Sequence, residues 1–428
     1  MNKVGYGCNT SKNLLSLKKV EEMIKCLTTL FFVLLAYNFY SQEITGYQGK
    51  INIQSLKKVK ADFNIHFSNS PQKDTLRLFI NKNADIKNLT FNERHVDYVL
   101  EKVENDLPDI KEIVITQDLP PLFTLNVEYE YPLTTIENET FQYDPNWIEL
   151  NNFTGWFPFN RENTNFKYQL KIKIPPSYEL ASPGNITKKT EYWIIGREQL
   201  TDDIPVVISN NFEIFKSKNN KISFYSSHLN QTQKNKILED GNSILSFYQK
   251  KFGKPILDDL VITINPFSHP WSYTRKGFIS LSLKDNYKIS DRLRLAHEIS
   301  HLWWSHNKIY GNGNDWLNEA FAEYSSLIWY KQHTSKDEFD LLLEKYREAF
   351  KLDLKITQVR PKDKNYVAVT YYKGAYWLYR LNEKIGAKKM MKILNEVNKR
   401  EINETSEFIS ILREKLPQQI FKEMEDVI

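Results

Sequence analysis

His297-Glu298-Ile299-Ser300-His301 is the short segment with the strongest chemical content in this chain of 428 residues. On a helix, positions i and i+4 lie one above the other on the same face, so both imidazoles can reach one ion at ~2.0–2.1 Å. The carboxylate of Glu298 then lies beside a metal-activated water, where it can take the water's proton and later hand it to a leaving amine. Two histidines on a solvated helix face are the bland alternative. A catalytic zinc usually takes three protein ligands and keeps a fourth position open, so a third donor is needed. Trp316-Leu317-Asn318-Glu319-Ala320-Phe321-Ala322-Glu323 offers two carboxylates at i and i+4 on the following helix, and either can face the metal.

His297-Glu298-x-x-His301 followed by Trp303, then Trp316-Leu317-Asn318-Glu319-x-Phe321-Ala322, resembles the zinc site of the aminopeptidase N family, within the gluzincin clan. The resemblance implies a single Zn2+ held by His297, His301 and Glu319, with Glu298 as general base. It is specific only from about residue 297 to 324. Residues 302–318 make a 17-residue spacer between His301 and Glu319, one fewer than that family usually has. The turn Asn312-Gly313-Asn314 can absorb the difference. Glu323 then either orients a ligand imidazole through its other ring nitrogen or is an ordinary exposed helix carboxylate.

Downstream, Tyr371-Tyr372-Lys373-Gly374-Ala375 is similar to the family's Tyr-x-Lys-Gly segment, whose first tyrosine donates a hydrogen bond to the tetrahedral oxyanion. This implies a catalytic role for Tyr371, with Tyr372 as the competing assignment and a buried core tyrosine as the plain alternative. Upstream, Trp156-Phe157-Pro158 and the strand from Phe166 to Ile174 look like the family's N-terminal β-domain.

One family element is missing. Family aminopeptidases carry a Gly-x-Met-Glu-Asn strand before the zinc helix, and its carboxylate binds the substrate's free amino group. Here the segment is Trp271-Ser272-Tyr273-Thr274-Arg275-Lys276-Gly277-Phe278-Ile279, which puts Thr274 at the acid's position. A neutral hydroxyl compensates a buried ammonium far less than a carboxylate does. Arg275 and Lys276 repel an ammonium if they point inward; they attract a substrate carboxylate, or are simply solvated strand residues. The chain thus reads as a divergent short member of the family: a zinc metallopeptidase acting on a peptide substrate, as an exopeptidase or an endopeptidase. A non-catalytic, metal-retaining peptide-binding relative is the alternative, though a pure binding module needs no general base.

These residues need elements to hold them. Gln231 to Phe252 reads as one helix, followed by short β-rich stretches at Leu260 to Ile264 and Gly277 to Leu283. A helix capped by Ser290 or Asp291 runs through Trp304, and a second runs from near Asp315 to about Gln332. Ser335 with Glu338 makes a capping box for the next, and Gly386 stops another that starts at Lys373. Trp303, Trp304 and Trp316 read as core, and His306 as a surface or cleft-lining residue.

Before about residue 210 the period is two. Phe63, Ile65 and Phe67, then Phe123, Leu125, Val127, Tyr129 and Tyr131, then Phe166, Tyr168, Leu170, Ile172 and Ile174, alternate with polar neighbours. Such runs predict antiparallel sheets with one wet face. The predicted class is α+β: an N-terminal antiparallel β-domain at 43–212, then a thermolysin-like, mostly helical catalytic domain with a small sheet at 213–428. The chain stops soon after the apolar residues near Met390 and Phe408, which predicts a more open cleft than in longer family members.

Hydrophobic residues make up 41% and aromatics 14%, enough for stable cores. Lys plus Arg number 58 against 53 for Asp plus Glu, scattered with no basic block, which speaks against nucleic-acid binding. Residues 1–42 read as a signal peptide or N-terminal anchor: Lys18, Lys19 and Lys25 precede an apolar run from Leu27 to Ala36 that is shorter than a bilayer span. An exported protein is predicted, periplasmic, extracellular or membrane-anchored facing outward. Membrane contact is expected only through that segment if it stays uncleaved. Both cysteines, Cys8 and Cys26, lie inside it.

Overall fold

Phe63, Ile65 and Phe67 are all buried, as are Leu125, Val127, Tyr129 and Tyr131 on the neighbouring strand, and Tyr168, Leu170 and Ile172 on a third strand of the same sheet. The period-two pattern therefore closes one face of a sheet over a core, as the alternation predicts. The computed structural model describes residues 43–68, 75–103, 110–117, 119–120, 122–133, 144–160, 165–217, 221–255, 259–267, 272–283, 286–305, 311–425 and 427–428. The N-terminal segment 1–42 with Cys8 and Cys26, Trp271 and His306 lie outside the described residues.

The main N-terminal sheet has eight strands in the order 185–188, 193–201, 166–173, 43–52, 58–68, 123–132, 85–91 and 94–95. Its pairs are antiparallel except that Glu43–Asn52 runs parallel to Phe166–Lys173, with Gly46 opposite Lys167 and Ile51 opposite Ile172. Alternation in a single strand reports which face is buried but not the direction of its neighbour, which is why that pair escapes the sequence reading. Two three-stranded sheets complete this β-rich domain. Its core runs from Ile44 to Ile208.

The second core begins at Ile222 and continues to Ile428. A five-stranded sheet lies at its start: β1 (Glu213–Lys216), β2 (Ile222–Ser226), β3 (Leu260–Asn265), β4 (Tyr273–Arg275) and β5 (Phe278–Ser282), ordered β1-β2-β3-β5-β4. β2, β3 and β5 run parallel, and β4 returns antiparallel to β5 as the edge strand. Among the described residues this part carries eight α-helices: α1 (Gln231–Phe252), between β2 and β3, and then α2 (Ile289–Ser300), α3 (Trp316–His333), α4 (Lys336–Phe350), α5 (Gly374–Ile385), α6 (Ala387–Arg400), α7 (Thr405–Lys415) and α8 (Gln418–Glu425). The β-rich domain followed by a helical domain is the predicted α+β architecture. No helix among the described residues is long and apolar enough to cross a membrane.

Local chemistry explains the helix ends. Ser335 and Glu338 form the predicted capping box of α4, and Gly386, at φ 81°, stops α5. The start of α2 differs from the reading: Lys288 is the cap residue, and the Asp291 carboxylate reaches back to accept from Lys288 N at 2.8 Å. The end differs as well. The helix closes at Ser300, and residues 301–304 continue as tighter turns, with Trp303 N bonded to Ser300 O at 2.9 Å. Trp303, Trp304 and Trp316 are core residues, each 1% exposed.

Candidate metal centre

His297 and Glu298 lie near the end of α2, pinned from behind by Tyr248 of α1, whose hydroxyl donates to Ala296 O at 3.0 Å. His301 stands at the cap position just past the helix, at φ −62° and ψ −10°. That backbone is still right-handed, so its imidazole stays on the face of His297. Glu319 sits in the first turn of α3. The connecting turn closes on Gly313, at φ 87°, where a Cβ would lie 2.7 Å from the Arg360 guanidinium and 2.9 Å from Thr357 O. Asp315 fastens the same turn by accepting from Gly311 N and from the Tyr366 hydroxyl.

Three ligand atoms converge. His297 Nε2 is 3.2 Å from His301 Nε2 and 3.2 Å from Glu319 Oε2, and His301 Nε2 is 3.6 Å from the same oxygen. An ion with tetrahedral bonds of 2.0–2.1 Å has ligand-to-ligand edges of about 3.3 Å, so the triangle has the size that zinc requires.

The protons agree with that size. His301 Nδ1 lies 2.7 Å from Trp304 O, a carbonyl that can only accept, and His297 Nδ1 lies 2.8 Å from Glu323 Oε2. Each Nδ1 therefore carries a proton, which leaves Nε2 as the nitrogen of each ring that faces the common point and would bind a metal there. Two ring nitrogens and a carboxylate oxygen facing one another fit a cation, a proton on His297 in the metal-free protein or a metal ion in its place. Burial opposes charge on His297, but Glu319 and Glu323 outweigh it and hold the imidazole well above its usual range. Burial would likewise raise both carboxylates, yet His297 holds each below the usual range, helped at Glu319 by His301 and at Glu323 by Tyr346.

Glu323 is thus no exposed helix carboxylate. It joins His297 to the hydroxyl of Tyr346 on α4. Residues that fix a ligand's second nitrogen set ring orientation and tautomer. Tyr346 carried no sequence signal, because it reaches the centre from the next helix by tertiary packing alone.

Tyr371 stacks on His297, with ring centres 5.8 Å apart and planes 13° from parallel. Tyr372 turns away, packing edge-on against Tyr346 at 5.2 Å beneath Lys345. Of the two tyrosines, the structure brings Tyr371 to the centre. It rides on a π-helical turn, Ala368–Lys373, that leads into α5; such turns shift a helix face by one residue and cluster at functional sites. Lys373 is buried and donates to Leu352 O and Leu354 O, both at 2.7 Å. At Gly374 a Cβ would lie 2.6 Å from the Cβ of Ala320, the neighbour of Glu319. The glycine is what lets α5 approach the ligand-bearing helix.

Thr274, on edge strand β4, places its hydroxyl 2.7 Å from Glu298 Oε2. Its neighbours do not face the cleft as substrate-carboxylate binders. Arg275 points to the β-rich domain, where Nε donates to Asp203 at 2.9 Å and a second nitrogen donates to Asn152 at 3.0 Å, with the guanidinium over Phe153. Its reading as a solvated strand residue is also corrected, because the side chain is largely buried in this ion pair. Lys276 is half-buried and donates to Asn165. His66, His228 and His333 engage Thr124, Leu283 O and Ser243 respectively, away from the centre.

No protein-family model and no curated protein matches the sequence. Solved structures do match. The M1 zinc metallopeptidase from Deinococcus radiodurans superposes with a TM-score of 0.69 at 14% identity, covering 90% of this chain and 93% of that one. A mutant of it bound to a Tyr-Ser-Ala substrate matches over the same shares with a TM-score of 0.67 at 12% identity. Native yeast LTA4 hydrolase matches with a TM-score of 0.71 at 12% identity, over 91% of this chain and 67% of that one. The fold is that of the M1 zinc metallopeptidases. Sequence and fold meet at one place: the His297, His301 and Glu319 cluster carries the metal-binding residue types that the motif supplies.

Proposed function

We propose that the protein is a zinc-dependent metallopeptidase that hydrolyses peptide bonds. The observation that carries this reading is the triangle of His297 Nε2, His301 Nε2 and Glu319 Oε2, sized for zinc, with the carboxylate of Glu298 on the adjoining helical position. When bound, zinc supplies a Lewis acid that polarises the scissile carbonyl and acidifies a water. Glu298 takes the proton from that water and passes it to the leaving nitrogen. Tyr371 donates its phenolic proton as a hydrogen bond to the carbonyl oxygen while charge builds there. Glu323 and Tyr346 keep the His297 ring oriented. A peptide substrate is supported by the Tyr-Ser-Ala ligand of the Deinococcus mutant.

Metal analysis with a peptide panel tests the reading, comparing wild type with Glu298→Gln. The expected result is one zinc per chain in both proteins and a turnover loss of about 10²–10⁴-fold in the variant. Full zinc with equal, negligible turnover in both would instead favour the peptide-binding relative.

We further assign the chain to an exported pool and its division to 43–212 and 213–428. The basic and apolar run before residue 43 supports the first. The two main cores, ending at Ile208 and beginning at Ile222, support the second, with a small cluster of Trp147, Ala181, Val207 and Phe278 where they meet. N-terminal sequencing of protein recovered outside the cytoplasm checks export, and domain-wise proteolysis near residue 212 checks the division.

A further inference from the structure

Thr274 Oγ1 lies 2.7 Å from Glu298 Oε2 and 3.0 Å from Glu298 O. A hydroxyl has one proton, and a carbonyl or carboxylate oxygen accepts, so Thr274 is the donor and the side-chain oxygen takes the shorter bond. Glu298 is 6% exposed, so its carboxylate has little water to hold it.

The donor itself is held firmly. Thr274 pairs with Ile279 across β4 and β5, and its carbonyl accepts from Arg275 at 2.9 Å. Arg275 is in turn tied to Asp203 and Asn152 of the β-rich domain. A β-branched side chain on such a strand has restricted χ1, which aims the hydroxyl. The contact runs from one domain to the other through Asp203, Arg275, Thr274 and Glu298.

We propose that Thr274 is a positioning residue for Glu298: it fixes Oε2 by hydrogen bonding and leaves Oε1 to accept the water's proton. The proposal rests on reading Glu298 as the general base. Because the hydroxyl is committed to Glu298, its loss should slow hydrolysis of peptides with free and with blocked N-termini by the same factor.

The test compares Thr274→Val, which keeps the shape and removes the donor, with Thr274→Ser, which keeps the donor. Zinc-loaded crystal structures read the position of the Glu298 carboxylate, and kinetics on free and N-acetylated peptides read kcat and KM separately. In the Val variant the carboxylate should shift or divide between rotamers, and kcat should fall about 10–100-fold on both peptide types with KM little changed. The Ser variant should restore both readouts. An unmoved Glu298, an unchanged kcat, or a loss confined to KM for free-amine peptides overturns the proposal. If wild-type protein cleaves no peptide, that counts against the hydrolytic reading alone, and the position of Glu298 in the Val variant still decides this one.

Discussion

Glu323 accepts the Nδ1 proton of His297 at 2.8 Å, and that single bond aims the opposite nitrogen at Glu319 and His301. Glu323→Ala should therefore weaken zinc binding by about 10–100-fold, the usual cost of losing a partner that orients a ligand. Glu323→Gln, whose amide oxygen still accepts, should lose less. Competition against a chelator of known affinity measures both. Equal affinity in wild type and the Ala variant would mean that packing alone orients the ring.

His297 also predicts a pH dependence. Its folded value is raised well above the usual one by Glu319 and Glu323 against the opposing effect of burial. The charge therefore stabilises the fold fully below the ordinary histidine value of about 6.5, and that contribution fades as pH rises through the raised value. Zinc must displace this proton from Nε2. Binding at pH 7 should release about one proton per site, and apparent affinity should rise with pH. Calorimetry in two buffers of different ionisation enthalpy gives the proton count; identical heats would show a neutral imidazole.

Gly374→Ala tests the close approach of α5 to α3. The new Cβ would lie 2.6 Å from the Cβ of Ala320, too close for two carbons that are not bonded, so one helix must move. Overpacking of this kind costs about 1–3 kcal/mol. Because Ala320 adjoins Glu319, zinc affinity should fall together with the denaturation midpoint. A loss of stability with unchanged affinity would show that the strain is absorbed away from the ligand.

Much of this was legible in the residues themselves. The His297-Glu298-x-x-His301 spacing is local, so helix geometry alone predicts that the two imidazoles share a face. The period-two runs likewise announced the β-rich domain, and Gln231–Phe252 appears with the bounds its pattern gives. What could not be read is what depends on contacts between distant segments. Neither Tyr346 to Glu323 nor Thr274 to Glu298 has a sequence period, and Arg275 looked solvated because its partner Asp203 lies 72 positions away. Direction in the sheet was hidden for the same reason: the parallel pairing of Glu43–Asn52 with Phe166–Lys173 is a property of two strands.

The Asp203 and Arg275 pair yields a prediction whose size depends on pH. Burial, only partly offset by Arg275, pushes the Asp203 carboxyl up to about 6. A folded value above the unfolded one means that the folded state binds more protons between about pH 4 and 6, so this group lowers stability as pH rises through that window. Arg275→Met removes the partner and should push Asp203 higher still. Well above pH 6 the variant must either hold Asp203 protonated against the pH or bury an unpaired carboxylate, a loss that approaches about 3–5 kcal/mol when one partner of a buried pair is removed. Below that value Asp203 is protonated in both proteins, and the difference should shrink. Urea unfolding of wild type and variant at pH 5 and pH 8 measures it. A penalty that is equal at the two pH values would assign the loss to the packing of Arg275 over Phe153 and Tyr273 instead of its charge.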